Sequence, residues 1–127
     1  MPEHSKSFLC EVTTIDSYCQ EKSIERVDFI KLDIEGAELL ALRGGVETIV
    51  RSRPIVVVEV NFETSAAFGY EPGDIISWFA KFDYSCYVMR KRKWFKALSG
   101  SELEHGTNML FVWNQDIRRL RKIDHLN

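Results

Sequence analysis

The chain has 127 residues, of which 45% are hydrophobic and 28% are charged, a balance typical of one ordinary globular domain. Its longest uncharged apolar run, residues 54–58, is far shorter than the roughly 20 residues that a membrane-spanning helix needs. No apolar stretch with a cleavage site for secretion follows the N-terminus. These features predict a single domain located in the cytoplasm.

Charge is distributed unevenly, although the net charge is only −2. Residues 1–74 carry a net charge of −7, whereas residues 75–127 carry +5. Such a split can attract an anionic partner to the basic half, but the two halves can also neutralise each other in the folded protein. We expect the second outcome.

Cysteines and histidines give no sign of a disulfide framework or of a metal site. Cys10, Cys19 and Cys86 are an odd number and lack C-x-x-C spacing. No histidine lies at helical spacing from another histidine or from a cysteine. The sequence therefore predicts free thiols and no metal.

A strand, a turn and a helix are predicted in the first half of the chain. Residues 12–15 are extended and lead into a helical turn at 16–21. The apolar run 27–33 predicts a strand, and residues 37–43 have helical spacing that ends at Gly44-Gly45. Residues 55–60 predict a second strand, and the connection between the strands is long enough for a crossover. The two strands are therefore expected to be parallel.

The second half predicts one further helix and an antiparallel strand pair. Residues 61–70 are polar and are expected to form a flexible connection, after which 75–82 form an amphipathic helix. Residues 84–89 and 108–113 are the paired strands. The basic, aromatic segment 90–96 has the composition of a nucleic-acid contact, but we interpret it as a solvated hairpin. Residues 115–127 predict a basic helical tail.

The segment Lys31-Leu-Asp-Ile-Glu-Gly-Ala-Glu-Leu-Leu-Ala-Leu-Arg-Gly-Gly45 resembles the K-x-D-x-E-G-x-E segment of FkbM-type methyltransferases. Thr14-Ile-Asp-Ser-Tyr18 is similar to the T-(L/I)-D-x-(Y/L) motif that precedes it in that family. Arg53-Pro-Ile-Val-Val-Val-Glu-Val-Asn61 is similar to the strand that follows. The resemblance covers roughly residues 12–113.

This resemblance implies an α/β fold, namely a partial class I methyltransferase, Rossmann-like three-layer sandwich. The sheet is expected to be mostly parallel with an antiparallel last strand, and to lack the first three strands. S-adenosylmethionine is the implied cofactor. The glycine-rich turn that approaches this cofactor in such folds has no counterpart here, because the chain contains no G-x-G run. We therefore expect a truncated protein that alone binds the cofactor weakly or not at all.

Asp33 is the first candidate site residue, because ligands of open parallel sheets bind beyond the carboxyl ends of the strands. The resemblance implies that Asp33 orients the methionine amino group of the cofactor or the accepting hydroxyl, whereas the alternative is that it caps the following helix. Glu35 is a candidate catalytic residue or substrate contact, with helix stabilisation as the alternative. Gly36 is a candidate cofactor contact that permits a tight turn or a close backbone approach. Glu38 is expected to be structural.

Glu59 and Asn61 are candidate substrate-binding residues at the end of the second strand. If Val27 and Ile55 share a register, Lys31 lies beside Glu59, and the two side chains are expected to form a buried ion pair. This pairing would give Glu59 a structural role. Asn61, at the rim, remains the better candidate for a contact.

Three functions remain open from the sequence. The first is a methyltransferase acting on an oxygen of a small or carbohydrate-like acceptor, as the resemblance implies. The second is a noncatalytic remnant that docks through an uncovered strand edge, either to a separate N-terminal half or to a second copy of itself. Nucleic-acid binding by the basic half is the least favoured of the three.

Overall fold

A five-stranded mixed sheet forms the centre of the structure, a computed structural model that describes residues 5–127. Its strands are β1 (Phe29–Leu32), β2 (Ile55–Glu59), β3 (Tyr84–Arg90), β4 (Lys93–Ala97) and β5 (Asn108–Trp113). In the same part of the chain the α-helices are α1 (Ile15–Glu21), α2 (Glu38–Arg43), α3 (Val46–Ser52), α4 (Phe62–Ala67), α5 (Pro72–Ala80) and α6 (Ile117–His125). The α/β class predicted from the sequence is confirmed.

Strands β1 and β2 form the predicted parallel pair, with Phe29 opposite Ile55. Their connection contains two helices, of which the sequence analysis identified only α2. Gly44 is the C-cap of α2 and Gly45 the N-cap of α3. A Cβ atom on Gly45 would lie only 3.1 Å from the side chain of Ile15 in α1, so the glycine pair both ends one helix and lets α1 pack closely against the start of the next.

The strand order is β1-β2-β5-β3-β4. Strand β5 lies between β2 and β3 and is antiparallel to both, so the predicted antiparallel pairing of β3 with β5 is confirmed. The sheet is mixed: β1, β2 and β3 run in one direction, whereas β5 and β4 run in the other. The expected antiparallel last strand is present as β5. The last strand enters the interior of the sheet, and β4 adds a further antiparallel pairing beside β3.

The basic segment 90–96 forms the hairpin that joins β3 to β4. Lys91 and Arg92 have φ angles of 48° and 65°, which is the conformation that a two-residue type I′ turn requires at both central positions. Arg90 pairs with Lys93 across the turn. The predicted hairpin is confirmed, and it contributes β4 to the sheet as an additional strand.

The polar stretch 61–70, expected to be a flexible connection, contains helix α4. The Asn61 side chain accepts a hydrogen bond from the Thr64 backbone N–H at 3.1 Å and so caps this helix. Helices α5 and α6 form close to their predicted positions. Within residues 5–127, every helix is too short or too polar to cross a bilayer.

The hydrophobic core lies on the face of the sheet that α2, α3 and α5 cover. Val56 and Val58 of β2, and Val60 directly after it, point to this face and are fully buried in one cluster with residues of these helices. On the opposite face, Phe29 is 56% exposed and Lys31 is exposed. The β1 side of that second face is therefore open to solvent.

Helix α6 is held by hydrogen bonds near both of its ends. The Arg119 guanidinium donates to the Arg53 carbonyl at 3.4 Å. Beyond the other end, the Asn127 side chain accepts from the Trp94 N–H and donates to the Trp94 carbonyl, at 2.7 and 2.8 Å. The predicted basic tail is thus an ordered helix that is attached to the sheet.

Ion pairs do not join the acidic and basic halves of the described chain. Two ion pairs are shorter than 4.0 Å among residues 5–127, Arg26 with Asp28 and Arg119 with Asp116. Each pair lies within its own half. The expected neutralisation of one half by the other therefore does not occur through direct pairing of the described side chains.

Candidate functional site

The candidate site begins where β1 ends, in a turn that occupies residues 33–37. Asp33 and Glu35 are exposed there, whereas Gly36 is buried. Glu35 and Gly36 have positive φ angles of 56° and 103°, so the backbone reverses sharply before α2 begins at Glu38. This turn separates residues that face solvent from residues that face the core.

Only glycine fits at position 36, because of the backbone conformation there and because of the atoms that lie close to it. A Cβ atom at this position would lie 2.4 Å from the Thr64 carbonyl oxygen and 2.8 Å from a ring carbon of Phe68. Real Cβ atoms do not approach backbone so closely. The prediction that Gly36 permits a tight turn and a close backbone approach is confirmed, and the approaching backbone belongs to α4.

Glu38 connects the turn to the chain beyond α4. Its carboxylate is buried, with 6% of the residue exposed, and accepts a hydrogen bond from the Ile34 backbone N–H at 3.0 Å. The Tyr70 hydroxyl lies 3.1 Å from Glu38 Oε2 and 2.9 Å from the Gly36 carbonyl oxygen, and it can donate to either. Burial and the adjacent Glu38 carboxylate raise the pKa of Tyr70. The predicted structural role of Glu38 is confirmed.

Asp33 and Glu35 have no such structural partners. Neither side chain forms a hydrogen bond or an ion pair with any described residue. Ala37 is the N-cap of α2, and no side chain caps this helix. The alternative hypothesis that Asp33 caps the helix is therefore wrong, and its carboxylate is left free at the carboxyl end of β1.

Glu59 lies at the end of β2, at the same edge of the sheet as Asp33. The observed register pairs Lys31 with Val57 and ends with Leu32 opposite Val58. Asp33 and Glu59 therefore each follow directly after this last pair, at the same edge of the sheet. The predicted buried Lys31–Glu59 ion pair is wrong, since the strands are shifted by two residues from the assumed register and Lys31 is exposed. Glu59 is half-buried.

Asn61 follows β2, and its side-chain oxygen is used as the cap of α4. Its position two residues after Glu59 keeps it at the same edge of the sheet as Asp33. The structure thus brings Asp33, Glu59 and Asn61 to one edge. The oxygen of Asn61 has a structural task there, whereas Asp33 has none.

Asp16 and Thr14 have structural roles that the sequence analysis did not identify, as does Tyr70. The Asp16 carboxylate accepts hydrogen bonds from the Thr48 hydroxyl at 2.7 Å and from the Thr48 and Glu47 backbone N–H groups at 2.9 and 3.1 Å. It therefore caps α3 from another helix. Thr14 caps α1 through the Ser17 N–H. These two contacts explain two polar positions of Thr14-Ile-Asp-Ser-Tyr18 without a ligand.

The main cavities of the described chain are not lined by the strand-edge residues, although one of about 90 Å³ lies beside the turn and is lined by Phe68 and Tyr70. A groove of about 330 Å³ runs between α2 and α5, and a second one of about 410 Å³ is lined by Arg26 and by residues of α6 and its N-cap. Among residues 5–127, no group of His, Cys, Asp and Glu side chains is arranged to hold a metal ion. Cys86 is buried, and burial raises the pKa of its thiol to about 12, so it is a poor nucleophile.

Comparison with known proteins identifies a family and one curated relative. The family model described as the methyltransferase FkbM domain matches residues 4–86. A 43-residue segment is 37% identical to the 2-O-methyltransferase NoeI of Sinorhizobium fredii (strain NBRC 101917 / NGR234), which is 34% of this chain and 18% of that protein. No solved structure matches the chain.

The family match includes the turn at residues 33–36 and Asp16, which caps α3. It ends inside β3. Most of β3, together with β4, β5 and α6, lies beyond it. The matched part nevertheless covers most of the chain and agrees with the resemblance seen in the motif residues. This chain belongs to the FkbM methyltransferase domain family.

Proposed function

We propose that the chain is part of an S-adenosylmethionine-dependent methyltransferase that transfers a methyl group to an oxygen of a small or carbohydrate-like acceptor. The observation that carries this proposal is the free Asp33 carboxylate at the carboxyl end of a parallel strand, within a sequence that belongs to the FkbM methyltransferase family. Ligands of open α/β sheets bind at this edge. The relative named as a 2-O-methyltransferase supports oxygen as the acceptor atom.

We assign the sheet to part of a class I methyltransferase sandwich. In this assignment β1, β2, β3 and β5 correspond to the fourth to seventh strands of that fold, and β4 is an addition. Support comes from the parallel pair β1–β2, the helices that join it, and an antiparallel last strand inside the sheet. The partly exposed β1 face would then be covered by another segment.

The described residues fit the cofactor only in part. Asp33 and Glu59 offer carboxylate acceptors, but the best-formed cavities of the chain are not lined by any residue of the strand edge. The missing side chain of Gly36 makes room for α4 rather than for a ligand. The site is therefore one wall of a pocket, and a segment placed against the open edge of β1 would supply the opposite wall.

Within this wall, Asp33 has the role of orienting the amino group of the cofactor or the acceptor hydroxyl by accepting a hydrogen bond. Glu35, Glu59 and Asn61 are placed to contact the acceptor. The backbone at Gly36 is assigned as a cofactor contact. Asp33 is the strongest assignment of these, because its exposed carboxylate contributes nothing visible to the fold.

Titration of the isotope-labelled chain with S-adenosylmethionine, followed by NMR, tests this function. Up to millimolar ligand, we expect weak binding that shifts the amide signals of residues 33–36 and 59–61. Asp33→Ala, which removes the acceptor, should abolish these shifts while changing the unfolding free energy by less than about 0.5 kcal/mol, as for other exposed polar sites. Asp28→Ala, at the other end of β1, is the matched control and should leave the shifts intact.

Absence of shifts at the strand edge, or shifts that persist in Asp33→Ala, would contradict the proposed site. The second candidate function is a noncatalytic interaction module, which the exposure of Phe29 on the open face favours. That module would show no cofactor-dependent shifts and would associate with itself as its concentration rises. Phe29→Ser should then reduce the association in sedimentation measurements.

A further inference from the structure

A groove at the opposite end of β1 gathers positive charge from two distant parts of the chain. It encloses about 410 Å³ and is lined by Arg26, by Arg118, Arg119 and Lys122 of α6, and by Asp116 at the N-cap of that helix. Arg26 precedes β1, whereas Asp33 follows it. Seven residues of extended chain span roughly 20 Å, so this groove is separate from the candidate site.

The positive charge of the groove is largely uncompensated. Four of its lining side chains are cationic and one is acidic. The Asp116 carboxylate is already paired with Arg119 at 3.1 Å and accepts the Arg119 N–H at 3.3 Å. The Arg26–Asp28 pair is 77% and 63% exposed at its two side chains, so solvent weakens it. Arg118 and Lys122 form no ion pair with any described residue.

The spacing of these cations makes them repel one another. Arg118 and Lys122 are four residues apart and Arg119 and Lys122 three apart, so both pairs lie close together on the surface of α6. Like charges at this spacing destabilise a helix. A bound anion would remove that repulsion, and arginine in particular presents a planar set of donors that matches phosphate oxygens.

We propose that this groove binds a small ligand that carries two or more phosphate groups. Its net lining charge of three, from four cations and one carboxylate, matches a polyphosphate better than a single carboxylate. The lining contains no aromatic side chain on which a base could stack, which favours a phosphate ligand over single-stranded nucleic acid. This site does not depend on the proposed methyl transfer.

Calorimetric titration with inorganic tripolyphosphate at about 50 mM salt, where screening is moderate, tests the site. We expect one binding site per chain. The double variant Arg118→Gln with Lys122→Gln should weaken binding at least about fivefold, because it removes two of the charge contacts. The control, Arg121→Gln with Lys93→Gln, removes the same charge from residues that do not line the groove, and it should weaken binding less than about twofold.

Arg26→Gln gives an independent result if the α6 variant fails to fold. This residue lies on another segment and its side chain is 77% exposed, so the variant should fold normally and still weaken binding about threefold. No tripolyphosphate binding, or equal losses in the groove variant and its control, would overturn the site. Tighter binding of a single-stranded oligonucleotide than of tripolyphosphate would overturn the assignment to a small ligand.

Discussion

Within the segment 31–38, two residues form structural contacts with the rest of the chain and two acidic residues do not. Gly36 and Glu38 are committed to the fold, one by the close approach of α4 and the other by its buried hydrogen bonds. Asp33 and Glu35 are exposed and have no partner among the described side chains. Gly36 and Glu38 therefore serve the fold. The fold gives no reason for the carboxylates of Asp33 and Glu35, which makes these two the candidates for a ligand contact.

The largest effect should come from Gly36→Ala. A Cβ atom would lie 2.4 Å from the Thr64 carbonyl oxygen at a φ of 103°, and the combined conformational strain and overpacking should lower the unfolding free energy by about 3 kcal/mol or more. Urea denaturation measures this change. Gly69→Ala is the matched control, since Gly69 has a φ of 80° but nothing within 4 Å of an added Cβ.

Gly69→Ala should lower the unfolding free energy by about 1 kcal/mol, which is the conformational term alone. The difference between the two variants therefore isolates the contact with α4. Equal losses at Gly36 and Gly69 would mean that packing does not require the glycine. A ligand contact would then become the better explanation of Gly36.

A smaller effect is expected from Glu38→Ala. The change leaves the Ile34 N–H without its acceptor and removes a partner of the Tyr70 hydroxyl, which should reduce the unfolding free energy by about 2 kcal/mol. Glu38→Gln keeps an acceptor oxygen and should lose about half as much. Combined with Tyr70→Phe in a double-mutant cycle, Glu38→Ala should show a coupling of about 0.5–1 kcal/mol. If the effects of the two changes on the unfolding free energy simply add, the Glu38 carboxylate and the Tyr70 hydroxyl do not interact, which would contradict the structural role of Glu38.

Much of the fold was predictable because it follows from local patterns. A near-continuous apolar run identified β2, and the glycine pair 44–45 identified the end of α2. Turn chemistry was less visible, since Lys91 and Arg92 adopt a type I′ turn without the Asn or Gly that usually announces it. The short polar helix α4 lacks an apolar stripe strong enough to distinguish it from a loop.

Contacts between distant residues were not predictable in the same way. Tyr70 reaches Gly36 across 34 residues, and Asp16 reaches Thr48 across 32. The parallel register of β1 and β2 also has no local signal: a shift of two residues keeps every side chain on the same face, and so the sequence pattern fitted both the assumed and the observed pairing. This ambiguity produced the erroneous Lys31–Glu59 pair, whereas the position of Asp33 at the strand end did not depend on it.

The smallest expected effect is the pH dependence of Tyr70→Phe. At about pH 8 the loss of the hydroxyl bond should lower the unfolding free energy by about 1 kcal/mol. Burial and the Glu38 carboxylate raise the pKa of folded Tyr70 above its ordinary value of 10.0. The folded state therefore holds the proton more tightly than the unfolded state, and this stabilisation is complete below pH 10 and is lost as the pH rises from 10 through the raised value. The difference between the wild type and Tyr70→Phe should accordingly shrink above pH 10 in urea denaturation, because the other titrating groups are common to both proteins. A difference that stays constant with pH would mean that the Tyr70 hydroxyl does not lie against the buried Glu38 carboxylate. Glu38 could then no longer be distinguished by its contacts from Asp33 and Glu35, whose carboxylates have no partner.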